Sequence, residues 1–175
     1  LFPLGALVGI VGGLAAAGIE WGLHHGTHLL VGRLTHLGSA DALRFHWGVL
    51  LLPALGGLIS GLLVYFLSPT AAGHGTTTLT WAFHHNLGKL PLRGPLVKSI
   101  ANVAVLACGG STGPEGPTAG LGAAIGSTLG GFFRLSPRDV RVLLVAGCGA
   151  GVGAIFHCPL GGALFAAGVL YKEPE

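Results

Sequence analysis

Charge is what this sequence has least of. Lys and Arg together number 9 and Asp and Glu 6 in 175 residues, against 51% hydrophobic residues and a mean hydropathy of +0.74. So few charged groups cannot cover a water-facing surface, which argues against a soluble domain. The shortage is also uneven. No Lys, Arg, Asp or Glu lies between Arg44 and Lys89 or from Val142 through Tyr171, and Glu115 alone interrupts the stretch from Ser99 through Phe133. Each stretch exceeds the roughly 20 residues that cross a hydrocarbon core. A soluble α/β protein would instead show apolar runs of about 4 to 8 residues broken by charges. The formal charge of +3 does not indicate a nucleic-acid partner, because the basic residues fall in small groups between apolar blocks. Arg33 with Arg44, Lys89 with Arg93 and Lys98, and Arg134 with Arg138 and Arg141 read as loop charges at a membrane surface. All are basic, so they do not orient the chain.

Cysteine is scarce too. Cys108, Cys148 and Cys158 lie inside apolar stretches without CxxC or Cys/His ligand spacing, so they read as small core residues and no metal site is expected. The chain opens at Leu1 in an apolar run without an initiator Met or a basic leader and closes just after another such run. This is not a signal peptide, and both ends are expected to be cuts in a longer protein.

Leu1 to Ile19 reads as a first membrane helix, with Gly5, Gly9 and Gly13 as a small-residue packing face. Glu20 to His46 is a polar connection or the end of a long tilted helix. Trp47 to Leu67 is the clearest span, ended by Ser68-Pro69. Gly73-His74-Gly75 leads through three threonines into a short helix ending near His84 and His85, and Gly88 to Pro95 is a basic turn. A helix from Leu96 to Cys108 runs into Gly109 to Pro114, too rich in Gly and Pro to continue it. Pro117 suits the first turn of the next helix, which carries Gly122, Gly126 and Gly130 on one face. Arg134 to Arg141 is a polar turn, Val142 to Ala154 a helix, and Ile155 to Pro159 a break before a last helix to Tyr171. The 33 glycines sit among Ala, Leu and Val, which indicates close helix packing rather than linkers.

A helix that begins inside a membrane aims unpaired N–H groups and the positive end of its dipole at whatever precedes it, which makes an anion site. Two breaks here place such helix starts, one after Gly75 and one after Glu115, the pattern of transporters with discontinuous helices around a central site. The alternative is two kinks packed against neighbours without an ion. Glu115 is a lone acid in an apolar block and therefore a functional candidate. Beside a helix start it would compete with an anion for the same N–H groups, and protonation would release it. Otherwise it is a helix-capping acid at a membrane surface.

Gly113-Pro114-Glu115-Gly116-Pro117 resembles the G(K/R)EGP motif of the CLC chloride channels and transporters. Phe156-His157-Cys158-Pro159-Leu160-Gly161-Gly162 resembles their FNAPLAG segment, and Gly73-His74-Gly75-Thr76-Thr77 stands in the place of GSGIP. Their order and separations are similar to the first half of that family. The resemblance implies an all-α polytopic membrane protein with broken and tilted helices. Residues 1–175 would be a single segment, the first of two inverted repeats, in a multi-pass protein of the cell membrane that forms a homodimer. It implies transport of chloride or another small anion rather than an enzyme, with the anion as cargo, the lipid bilayer as surroundings and no cofactor. Glu115 would be the gate, and Gly73, His74, Gly75, Thr76, Gly113, Pro114, Gly116 and Pro117 would form the anion site.

Three departures from the family pattern matter. Pro114 replaces the Lys or Arg before the gating Glu. His74 and Thr77 replace Ser and Pro, so an imidazole N–H stands in for the usual hydroxyl donor. The acid with which antiporter members pass protons inward is matched by Gly168 and Val169, leaving only Glu173 nearby. The reading therefore leans to channel-like or weakly coupled flux, with chloride/proton antiport as the alternative. Two other classes compete. Gly109-Gly110-Ser111-Thr112 with His84-His85-Asn86 resembles an intramembrane serine protease, but Thr112 stands where the oxyanion hole needs Gly and the histidines fall in a turn. A secondary transporter of another fold is the other rival.

Overall fold

Glycine, proline and one serine cap set the helix boundaries in the computed structural model, which describes residues 1–32, 47–73 and 75–171. Those residues form seven α-helices and no strand. They are α1 (Phe2–Thr27), α2 (Trp47–Leu67), α3 (Gly75–His84), α4 (Arg93–Ala107), α5 (Glu115–Phe132), α6 (Pro137–Ile155) and α7 (Pro159–Leu170). A π-helical turn, His28–Gly32, extends α1, and a 3₁₀ turn, Pro69–Ala71, follows α2. The polar connection after Ile19 is thus helical as far as Thr27, and its later part lies outside the described residues. Helix α4 begins at Arg93, ahead of the expected Leu96, because Pro95 is tolerated in a first turn. Helix α6 begins at Pro137 rather than Val142, because Ser136 caps it. The Ser136 hydroxyl accepts the Asp139 N–H at 3.3 Å and Pro137 takes the first helical position.

Helices α5 and α6 cross at backbone contact, with α1 against both. A β-carbon on Gly122 would run into the Gly147 carbonyl, one on Gly126 into the Leu143 carbonyl, and one on Gly130 would lie 3.1 Å from Val140 Cγ2. The expected glycine face of α5 is therefore the seam with α6. The expected face of α1 is not its seam. A β-carbon on Gly5, Gly9 or Gly13 meets nothing within 4 Å, whereas Val8, Gly12, Ala16 and Ile19 are buried. From Phe2 to Ile19 helix α1 is apolar on every side, so its pattern there does not select a face, and the face carrying Val8 and Ile19 buries more apolar area.

Among the described residues one helical stretch, Phe2–Leu30, is long and apolar enough to cross a bilayer, and Leu51–Leu67 and Pro159–Leu170 are shorter apolar helices. Helix α2 leaves Leu55, Leu58, Leu62 and Phe66 exposed, an outward face suited to lipid or to further protein. The turn after α3 is tied down by Ser127 of α5, whose hydroxyl accepts the Leu90 N–H at 2.8 Å and donates to the Gly88 carbonyl at 2.7 Å. Cys108 and Cys148 are buried as expected, but Cys158 is exposed. It is the N-cap of α7, just after His157 turns the chain in the left-handed region at φ 51°.

Candidate functional site: two helix starts face each other

Helices α3 and α5 each begin where glycine lets the chain reverse. Gly73 precedes α3 at φ 92° and Gly109 opens the loop before α5 at φ 81°, both in the region that a β-carbon disfavours. The two starts then abut. A β-carbon on Gly75, the first residue of α3, would lie 3.0 Å from the carbonyl oxygen of Gly116, the second residue of α5. Each first turn leaves backbone N–H groups without helical partners, and the positive ends of two helix dipoles meet at one place. That is chemistry for holding an anion.

The Glu115 side chain is exposed and folds back over Gly113. A β-carbon on Gly113 would lie 2.8 Å from Glu115 Cδ and 3.1 Å from Oε1. The carboxylate therefore lies ahead of its own helix start rather than along the helix. The backbone around it is held by buried side chains. Asn102 Nδ2 donates to the Gly113 carbonyl at 3.2 Å, and Thr118 Oγ1 lies 2.8 Å from the Pro114 carbonyl and 3.1 Å from that of Glu115. Ser99 Oγ lies 3.3 Å from the Pro117 carbonyl. Lys98 Nζ donates to the Gly73 carbonyl. A cavity of about 330 Å³ lies between these groups, lined among others by Gly73, Lys98, Asn102, Thr112, Gly113 and Pro117.

Of the residues picked out from sequence, Gly75, Thr76, Glu115, Gly116 and Pro117 lie in the two first turns, and Gly73, Gly113 and Pro114 in the loops that lead into them. His74 and Glu173 lie outside the described residues. Sequence reasoning missed Lys98 and Asn102. Lys98 was grouped with the loop charges, yet it sits in α4 and reaches the loop before α3. The available signal was its position one turn past Pro95 with apolar residues continuing beyond it, which makes a surface turn at Lys98 improbable. The protease geometry is absent from the described residues. His84 is the last residue of α3, and its Nε2 is bonded to the Leu170 carbonyl at 3.1 Å rather than to a serine.

Residues 56–175 match the family model described as voltage gated chloride channel. A putative chloride channel protein, ClcB-like, of Ralstonia nicotianae is 30% identical over 98% of this chain and 41% of its own length. A chloride/fluoride channel protein of Pseudomonas syringae pv. tomato is 33% identical over 95% of this chain and 34% of its own. The crystal structure of a slow cyanobacterial Cl⁻/H⁺ antiporter superposes with a TM-score of 0.77 at 26% identity, covering 95% of this chain and 39% of that one. The chain thus spans about a third to two fifths of the length of these relatives, and its helices form the corresponding part of that fold.

Proposed function

Because the chain belongs to the voltage-gated chloride channel family, whose members are multi-pass integral membrane proteins, we propose that the junction of α3 and α5 is a passage for chloride or another small anion and that Glu115 is its gate. The observation that carries this is the meeting of Gly75 and Gly116, which brings two helix starts to one point with the Glu115 carboxylate folded in front of one of them. An ionised Glu115 and an anion are drawn to the same N–H groups, so the carboxylate excludes the anion until a proton neutralises it. His74, by its place in the sequence, and the backbone of Gly73, Gly75, Thr76, Gly113, Gly116 and Pro117 complete the site, with Pro114 as the N-cap of α5. Lys98 supplies a cation beside it, as Pro114 does not. In the whole protein, a second repeat closes the passage and two copies form a homodimer.

Passive or weakly coupled flux is the favoured mode, since Gly168 and Val169 of α7 offer no titratable atom. The second reading, exchange of chloride for protons, is favoured by the similarity to the cyanobacterial antiporter. The relative named as a chloride/fluoride channel makes fluoride an anion to test beside chloride. The decisive measurement is flux through the full-length protein in liposomes with Glu115→Gln, which mimics the protonated acid. The substitution should make flux nearly independent of pH on the Glu115 side, and an unchanged pH dependence there removes Glu115 from the gate.

A further inference from the structure

The loop in front of α5 hangs from one side chain. Gly109 and Gly110 are still bonded back to α4, through the Leu106 and Val105 carbonyls at 2.9 Å each. Beyond them, the backbone of Ser111, Thr112 and Gly113 has a single hydrogen-bond partner among the described residues, the Asn102 amide. A carbonyl only accepts, so Nδ2 is the atom that faces Gly113, at 3.2 Å. Asn102 is buried in α4, which packs against both α2 and α5, so the amide is held by a fixed scaffold. It lies one turn beyond Lys98 on the same face of that helix, and Lys98 holds the Gly73 carbonyl in the loop before α3. One face of α4 therefore holds both loops that lead into the facing helix starts.

What Asn102 holds is the seat of the Glu115 carboxylate. A β-carbon on Gly113 would collide with Glu115 Oε2 and lie 2.8 Å from Cδ, so the carboxylate occupies space that only glycine leaves free. Gly113 is not among the residues with positive φ, so its missing side chain serves this space rather than a turn of the backbone. Lys98 is the only charged side chain among the described residues that line the adjoining cavity, and its ammonium is committed to Gly73. From α2 the cavity receives Ser60 and Val64, neither of them charged. The position of the loop, and with it the seat, is thus set by a neutral hydrogen bond rather than by a counter-charge to Glu115.

We infer that Asn102 is the positioning residue of the Glu115 gate. Its bond to Gly113 keeps the loop where the carboxylate can fold back ahead of α5, and so sets how effectively the ionised acid shuts out the anion. This rests on the reading of Glu115 as the gate, and the experiment separates the two. Chloride flux through the full-length protein in liposomes is measured at pH about 5 and about 8 on the Glu115 side, where a carboxylate passes from partly protonated to fully ionised. Asn102→Leu, similar in shape but without a donor, should raise flux at the higher pH and shrink the acid-to-alkaline flux ratio about threefold or more. Asn102→Gln, which keeps an N–H donor, should recover part of the ratio. Gly113→Ala, which fills the seat, should bring the ratio close to one. In a Glu115→Gln background, adding Asn102→Leu should change flux less than about twofold at either pH, because the group it positions is no longer ionised. If Asn102→Leu does not fold, Asn102→Ser, too short to reach Gly113, takes its place. An unchanged ratio, or a loss of flux that is equal at both pH values and in both backgrounds, overturns the positioning role while leaving the gate intact. A pH response that persists in Glu115→Gln alone counts against the gate itself.

Discussion

Gly75 and Gly116 meet asymmetrically. A β-carbon on Gly75 points at the Gly116 backbone, 3.0 Å from its oxygen and 3.1 Å from its Cα, whereas one on Gly116 has nothing nearer than the Gly75 Cα at 3.9 Å. The two helix starts are close because α3 presents a hydrogen where other residues present a methyl group.

The asymmetry predicts unequal substitutions. Gly75→Ala must push two backbones apart and should cost about 1–3 kcal/mol with loss of most flux. Gly116→Ala makes only an ordinary contact and should change stability by no more than about 0.5 kcal/mol. Thermal unfolding in detergent together with liposome flux checks both, and equal losses would place the close approach elsewhere.

Helix α5 carries a second contrast. A β-carbon on Gly126 would run into the Leu143 carbonyl, while Gly131 on the same helix has open space around it. Gly126→Ala should therefore destabilise by about 3 kcal/mol, and Gly131→Ala should stabilise by about 0.5–1 kcal/mol through helix propensity alone. Unfolding midpoints that move in the same direction for both variants would contradict the seam with α6.

Lys98 holds the Gly73 carbonyl and is a cation lining the cavity before the two helix starts. Lys98→Gln should lower flux about three- to tenfold at low chloride and less at high chloride, where the passage fills without electrostatic help. Lys98→Arg should recover part of the loss. Flux measured against chloride concentration gives the answer, and a loss that chloride does not relieve would make Lys98 a structural tether only.

Coupling to protons should be weak. Gly168 is exposed and Val169 packs against the core, and neither can carry a proton from the end of α7. A chloride gradient across liposomes containing the full-length protein should not drive protons uphill. Sustained proton uptake would defeat this expectation, and its loss in Glu173→Gln would identify the carrier.

Sequence alone determined the helical, membrane-embedded class, the two breaks and the lone acid beside one of them. Charge-free blocks and Gly-Pro interruptions are local properties, and they act on the chain wherever it is placed. The glycine face of α5 was legible for the same reason, since spacing of four defines one side of a helix. Other features depended on which helix each residue meets. Helix α1 is apolar all round as far as Ile19, so only its neighbours decided that Val8, Gly12, Ala16 and Ile19, rather than Gly5, Gly9 and Gly13, face inward. Lys98 is 25 residues from Gly73 and His84 is 86 from Leu170. Contacts over such separations follow from how α3, α4 and α7 pack, because no periodicity within a single helix encodes which distant carbonyl a side chain will reach.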